Sequence, residues 1–153
     1  MILKRKYLFI VLILSVSLVL LGIGMSITPD LSKEYIEKKY TNNASKFLWI
    51  DDLKVHYRDE GQGVPIVLIH GTSSSLHTWE AWTQVLTQTH RVIRMDLPAF
   101  GLTGPNANHD YSMEYYVRFL DDFLTKLDID SLYLAGNSLG GQIAWHYTSH
   151  HLD

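Results

Sequence analysis

The stretch that decides the fold is "LYLAGNSLGGQIAW", residues 132–145, which holds G-x-S-x-G as Gly136, Asn137, Ser138, Leu139 and Gly140. Its first half is apolar and reads as a strand, and its second half as an apolar helix. A serine between the two has to sit on a tight turn. Small residues at Gly136 and Gly140 relieve the crowding there, and the turn lifts the Ser138 hydroxyl to the carboxyl edge of a sheet, where open α/β folds bind ligands. The helix starting at Leu139 aims unpaired N–H groups and the positive end of its dipole at the same point. By itself the pattern is also satisfied by a glycine-rich corner, so its weight comes from the strand before it and the helix after it.

Outward from this point, strands and helices alternate. "PIVLIH", residues 65–70, is an apolar run with β-branched residues, as expected of a strand covered on both faces. A Gly-Ser-Thr loop follows and leads into an amphipathic helix from about Leu76 to Gln88. "RVIRMDLPAFG" is a further strand ending in a turn at Asp96 to Gly101. In "YSMEYYVRFLDDFLTKLDI" the residues Met113, Tyr116, Val117, Leu120, Phe123, Leu124 and Leu127 recur at helical spacing, with Ser112 placed as the cap. Upstream, "FLWI" and "KVHYRD" flank Asp51-Asp52 as a short antiparallel hairpin. The pattern predicts an α/β domain from Phe47 onward, with five strands, mostly parallel, and crossover helices.

The 153-residue chain is 46% hydrophobic with net charge −3 and no cysteine. That balance excludes disulfides, thiol chemistry and a basic surface for nucleic acid. Nothing in it calls for a cofactor or a metal. The N-terminus differs from the rest. Lys4, Arg5 and Lys6 precede an uncharged run from Tyr7 to Ile27, and about 20 residues suffice to cross ~30 Å of hydrocarbon. Two readings stand: a retained anchor over 1–27, or a cleaved signal peptide. The run exceeds a usual signal core and lacks an A-x-A site, which favours the anchor. Cationic flanks stay cytoplasmic, so the domain is expected on the non-cytoplasmic side, with the bilayer as its partner. Residues 28–46 read as a polar tether, helical from Leu31 to Tyr40, ahead of a domain over 47–153.

Three motifs together, "VLIHG" followed by Trp79, "MDLPAFGLTG", and "LAGNSLGG", resemble the N-terminal half of the α/β-hydrolase fold family over residues 47–150. That resemblance implies Ser138 as nucleophile, with the backbone N–H groups of Leu139 and Thr72 as an oxyanion hole. His70 and Gly71 would organise the loop that carries Thr72, and Asp96 would stabilise its own turn. Trp79 and Trp82 read as core and entrance packing, and Ser73 to Ser75 as a flexible loop. "GNSLGG" fits an esterase or lipase acting on acyl esters, while the same Asn-Ser pairing resembles carbon–carbon hydrolases of ring-cleavage pathways.

A serine hydrolase also needs a base and an orienting acid, which the family places after the serine in the order serine, acid, histidine. Beyond Ser138 stand only His146, His150, His151 and Asp153. His146 begins ~12 Å along the helix from the serine, and the one acid follows all three histidines. His56, His77, His90 and His109 precede the serine and gain no support from that order. The chain is therefore expected to be a truncated hydrolase, inactive alone, with the serine strand as a bare apolar edge. Its rivals are a non-catalytic anchored scaffold and a half-enzyme completed by a second chain.

Overall fold

The computed structural model describes residues 2–151; Met1, Leu152 and the acid Asp153 lie outside them. The chain divides into two compact units, one reaching to Ile36 and one starting at Glu37. The first contains helix α1, Ile2–Ser26. Its stretch Arg5–Ser26 has a mean hydropathy of 2.8 and buries nothing within the molecule, and by length and composition it could cross a membrane. Ser15 and Ser26 donate to the carbonyls of Val11 and Gly22, each at 2.8 Å, so these two hydroxyls of the apolar helix are satisfied internally. Helix α2 spans Lys33–Tyr40.

The second unit is built on a five-stranded sheet in the order β1-β2-β4-β3-β5. Strands β1 (Ser45–Ile50) and β2 (Leu53–Glu60) form an antiparallel hairpin across Asp51-Asp52, with Asp51 at φ 51°. Aspartate tolerates that conformation better than most residues. Strands β3 (Pro65–Ile69), β4 (Arg91–Met95) and β5 (Tyr133–Gly136) are parallel, with β3 in the middle.

The sheet is mixed, a correction to the expectation of a mostly parallel one, because β2 runs antiparallel to β4, from Tyr57 opposite Met95 to Glu60 opposite Val92. The reason lies in the loop after β2. Gly61, at φ 78°, lies so close to the His90 carbonyl that a Cβ there would overlap it. The chain can therefore pass the start of β4 and enter β3 on the far side. Strand β5 is hydrogen-bonded to β3 alone and forms one edge of the sheet.

Each face is covered differently. Helix α4 (Met113–Lys126) and helix α5 (Leu139–His150) lie over one face, where Val55, Val67, Ile69, Ile93, Met95, Phe123 and Ile143 are buried in a single cluster. Ser112 caps α4 by accepting from the Tyr115 N–H at 3.2 Å. The buried face of α4 contains Phe119 in place of the expected Val117, beside Tyr116, Leu120, Phe123 and Leu124.

The other face carries a smaller cluster, Ile66, Leu68 and Val92 against Trp79 and Leu86. The helix expected over 76–88 is in fact a 3-10 turn, Leu76–Trp79, followed by α3, Glu80–Leu86. The Leu76 N–H, which no helix of its own could satisfy, donates to Asp96 Oδ1 at 2.8 Å, so that carboxylate caps the 3-10 turn. Arg58 and Arg94, cross-strand neighbours and both buried, meet on this face. Glu80 reconciles the like charges by accepting from Arg58 at 3.1 Å and from Arg94 at 2.7 Å, and Glu60 accepts from Arg94 at 2.7 Å. This network pins α3, and with it the loop that precedes α3, to the sheet.

Candidate active site

Ser138 stands between β5 and α5 at φ 51°, ψ −116°. A residue with a side chain seldom adopts this conformation, which costs on the order of 1–3 kcal/mol. The surroundings enforce it. The Asn137 N–H donates to the Ile69 carbonyl at 3.0 Å, the Gly140 N–H to Asn137 at 2.9 Å, and the Gln142 N–H to Ser138 at 3.0 Å. A Cβ on Gly136 would overlap the Gly140 carbonyl, and one on Gly140 would overlap the carbonyls of Ile69 and His70. Only glycine at both positions lets the start of α5 press this closely onto β3 and β5. The Ser138 side chain is left exposed at the carboxyl end of the strands, with no hydrogen-bond partner among the described residues.

Gly71 abuts this turn. A Cβ placed on it would come within 3.1 Å of the Asn137 carbonyl and of Ser138 Cβ, so the loop carrying Thr72 runs directly past the serine. Leu139 is the first residue of α5, where N–H groups have no helical acceptor. Among the described residues neither the Leu139 nor the Thr72 N–H donates to a protein acceptor. The Leu139 N–H, on the residue after the exposed serine, and the Thr72 N–H, on the loop that passes it, are thus both unpaired.

Behind the loop lie two buried groups. His70 is inaccessible to solvent; its Nδ1–H donates to the Gly71 carbonyl at 2.8 Å and its Nε2 accepts from the Leu97 N–H at 3.0 Å. Both nitrogens are used by the neutral ring, and burial holds its pKa below the ordinary imidazole value against the smaller opposing pull of Gly71 and Asp96. Asp96 accepts from the backbone N–H groups of Leu76 at 2.8 Å and Leu102 at 2.9 Å, and from His56 Nδ1 at 2.8 Å. Burial, the largest single influence, works to raise its pKa, but the three donors together hold it below the usual carboxylate value. Asp96 thereby ties the turn at 96–102 to the loop before α3.

His56 had no assigned role from sequence. Fully buried, it joins Asp96 through Nδ1 and Ser45 Oγ through Nε2, at 3.0 Å. In sequence His56 alternates with Leu53, Val55 and Tyr57 on the polar positions of β2, beside Lys54 and Arg58, so nothing in the pattern signalled its burial. Its partner became evident only once β2 was set beside β4.

Of the histidines after the serine, His146 and His150 line a cavity between α4 and α5. His151 stacks on Tyr147 with its Nε2 at 3.5 Å from Asp121. No described histidine bonds to Ser138. Trp79 packs on the smaller cluster, whereas Trp82 is 62% exposed on the outer side of α3, so it packs against no entrance within the described residues. In the serine-rich loop Ser74 bonds to Thr78 and Ser75 precedes the 3-10 turn.

A strained serine between a strand and a helix, over a parallel β4-β3-β5 core, is matched by a family model: residues 64–153 fit the alpha/beta hydrolase fold. The chain belongs to the α/β-hydrolase fold family. Over 95 residues it is 34% identical to the 2-hydroxy-6-oxo-2,4-heptadienoate hydrolase of Pseudomonas putida, covering 60% of this chain and 34% of that protein. Over 106 residues it is 35% identical to a haloalkane dehalogenase of Psychrobacter cryohalolentis, covering 63% and 35%. Among solved structures, the N-acyl homoserine lactone degrading enzyme Est816 superposes with a TM-score of 0.65 at 31% identity, covering 70% of this chain and 41% of that one. The chain spans about a third of the length of the curated relatives it matches. The relatives are hydrolases of differing chemistry.

Proposed function

We propose that this α/β-hydrolase chain contributes the nucleophile and oxyanion hole of a serine hydrolase acting on carboxylic esters. The observation that carries this reading is the exposed Ser138 at φ 51°, ψ −116°, at the start of α5 and next to the loop of Gly71 and Thr72. Ser138 Oγ attacks the acyl carbon and passes its proton to a histidine base oriented by an acid. The carbonyl oxygen gains the negative charge and is held by the Leu139 and Thr72 N–H groups. The alcohol then leaves with a proton, and water releases the acid from the acyl-enzyme. In the test that follows, the base and the acid are supplied by the added C-terminal part of a full-length relative.

The test is a chimaera that adds the C-terminal part of a full-length relative. It should hydrolyse a p-nitrophenyl ester, and Ser138→Ala should reduce turnover to background. Thr72→Ala should cost little, whereas Thr72→Pro deletes the donor and should lower the rate by roughly 10²–10³, with folding checked by circular dichroism. An active chimaera indifferent to Ser138→Ala would refute the nucleophile.

A second reading is favoured by the identity to the heptadienoate hydrolase: cleavage of a carbon–carbon bond in a 2-hydroxy-6-oxo-dienoate. Offering the chimaera both substrates separates the two. We further propose that α1 anchors the protein in a bilayer with the domain on the non-cytoplasmic side, supported by the uncharged run from Tyr7 onward within the stretch Arg5–Ser26. The protein should stay in the membrane pellet through a carbonate wash. Release with a new N-terminus near Gly24 or Ser26 would show a cleaved signal peptide instead.

A further inference from the structure

We propose that His146 and His150 form a two-imidazole chelate for a late first-row divalent cation, Zn²⁺, Ni²⁺ or Cu²⁺, in the cavity between α4 and α5. The proposal stands apart from the hydrolase reading, since neither histidine bonds to Ser138. The two residues are one turn apart on α5, a spacing that places side chains on the same face with Cβ atoms about 5–6 Å apart. Both are exposed, and both line a cavity of about 210 Å³ together with Met113, Glu114, Val117 and Arg118 of α4.

The hydrogen bonding fixes which nitrogen is available. His150 Nδ1 lies 2.7 Å from the His146 carbonyl, and a carbonyl can only accept, so Nδ1 carries the proton. The lone pair is then on Nε2, which has no protein partner among the described residues. An Nδ1–H bonded to a backbone carbonyl is the arrangement that orients a metal-ligating histidine. The His146 ring has no hydrogen-bond partner among the described residues, so its nitrogens are equally available. The other internal histidines differ: His56 and His70 have both nitrogens engaged.

Two imidazoles select the metal class. Neutral nitrogen donors suit Zn²⁺, Ni²⁺ and Cu²⁺, while Mg²⁺ and Ca²⁺ require oxygen donors. Among the described residues no three His, Cys, Asp or Glu side chains converge to hold a metal. The chelate is accordingly two-point, with water at the remaining positions. Glu114 in the cavity wall adds negative charge, and the opposing Arg118 is drawn towards Asp110, at 4.0 Å.

The test titrates Ni²⁺, Zn²⁺ and Cu²⁺ into the full chain, without an affinity tag and in detergent micelles, by calorimetry. One ion should bind per chain. His146→Ala and His150→Ala should each weaken binding by about tenfold or more, because the second imidazole acts as an intramolecular ligand. The double variant should abolish binding, and His109→Ala should leave it unchanged. Alanine preserves the helix, which circular dichroism checks. Bound Cu²⁺ should show two nitrogen ligands by electron paramagnetic resonance. Binding that persists in the double variant, or wild-type binding no tighter than that of the double variant, would overturn the proposal.

Discussion

Ser138 keeps a backbone conformation that its own side chain disfavours, because three backbone hydrogen bonds and two glycine contacts leave the turn no alternative. Glycine adopts positive φ without that penalty. Ser138→Gly is therefore expected to raise stability by about 1 kcal/mol, read as a higher urea midpoint with unchanged slope, while Ser138→Ala leaves the midpoint where it is. His70 offers a second measurement. Its folded pKa is depressed by burial, so the unfolded chain binds a proton more readily than the folded one. The stability this represents is intact above the ordinary imidazole value of about 6.5 and is lost as pH falls from there through the lowered folded value. The wild-type urea midpoint should drop between pH 7.5 and pH 5.5, and His70→Asn should flatten the part of that slope due to this residue. A slope unaltered by the substitution would mean that other groups set it.

At the scale of elements, α5 is held by a conflict between propensity and packing. Alanine is a better helix former than glycine by about 1 kcal/mol, but a Cβ on Gly140 would overlap the carbonyls of Ile69 and His70. Overpacking of this kind costs typically 1–3 kcal/mol, and the obstacle is backbone, which cannot swing aside. Gly140→Ala should therefore be net destabilising in thermal melts; a rise in melting temperature would show that propensity wins. Helix α4 depends on its cap in a simpler way. Ser112 accepts from the Tyr115 N–H, and Ser112→Ala should cost about 1 kcal/mol, measurable as a lower urea midpoint.

Across the whole molecule, the buried apolar cluster falls entirely within Ile50–Ile143, in the unit that starts at Glu37. Removing the N-terminal unit should therefore leave the sheet domain folded. Trypsin is expected to cut after Lys33 early in a digest, and the released piece should still melt cooperatively with its helix signal intact. Broad, non-cooperative melting of that piece would show that the first unit supports the second. Within the sheet, β5 pairs on one side only, so its amides should exchange hydrogen faster than those of β3, which is paired on both sides.

What the sequence by itself determined is the set of local elements and the serine turn. Strands at 65–69 and 91–95, the capped helix α4, and the strand-serine-helix step at 133–150 depend on apolar periodicity and on glycines whose need is local. The three motifs also place the chain in its family, because they lie in segments whose spacing can be read along one dimension. Tertiary structure decided the rest. The antiparallel pairing of β2 with β4 depends on how a short loop passes a neighbouring strand. The 3-10 turn at Leu76 is capped by a carboxylate 20 residues away in sequence. The His56–Asp96 pair spans 40 residues. The choice of Phe119 over Val117 depends on where α4 settles on the sheet. Each is a contact between segments distant in the chain, and periodicity within one segment contains no information about the partner that will meet it.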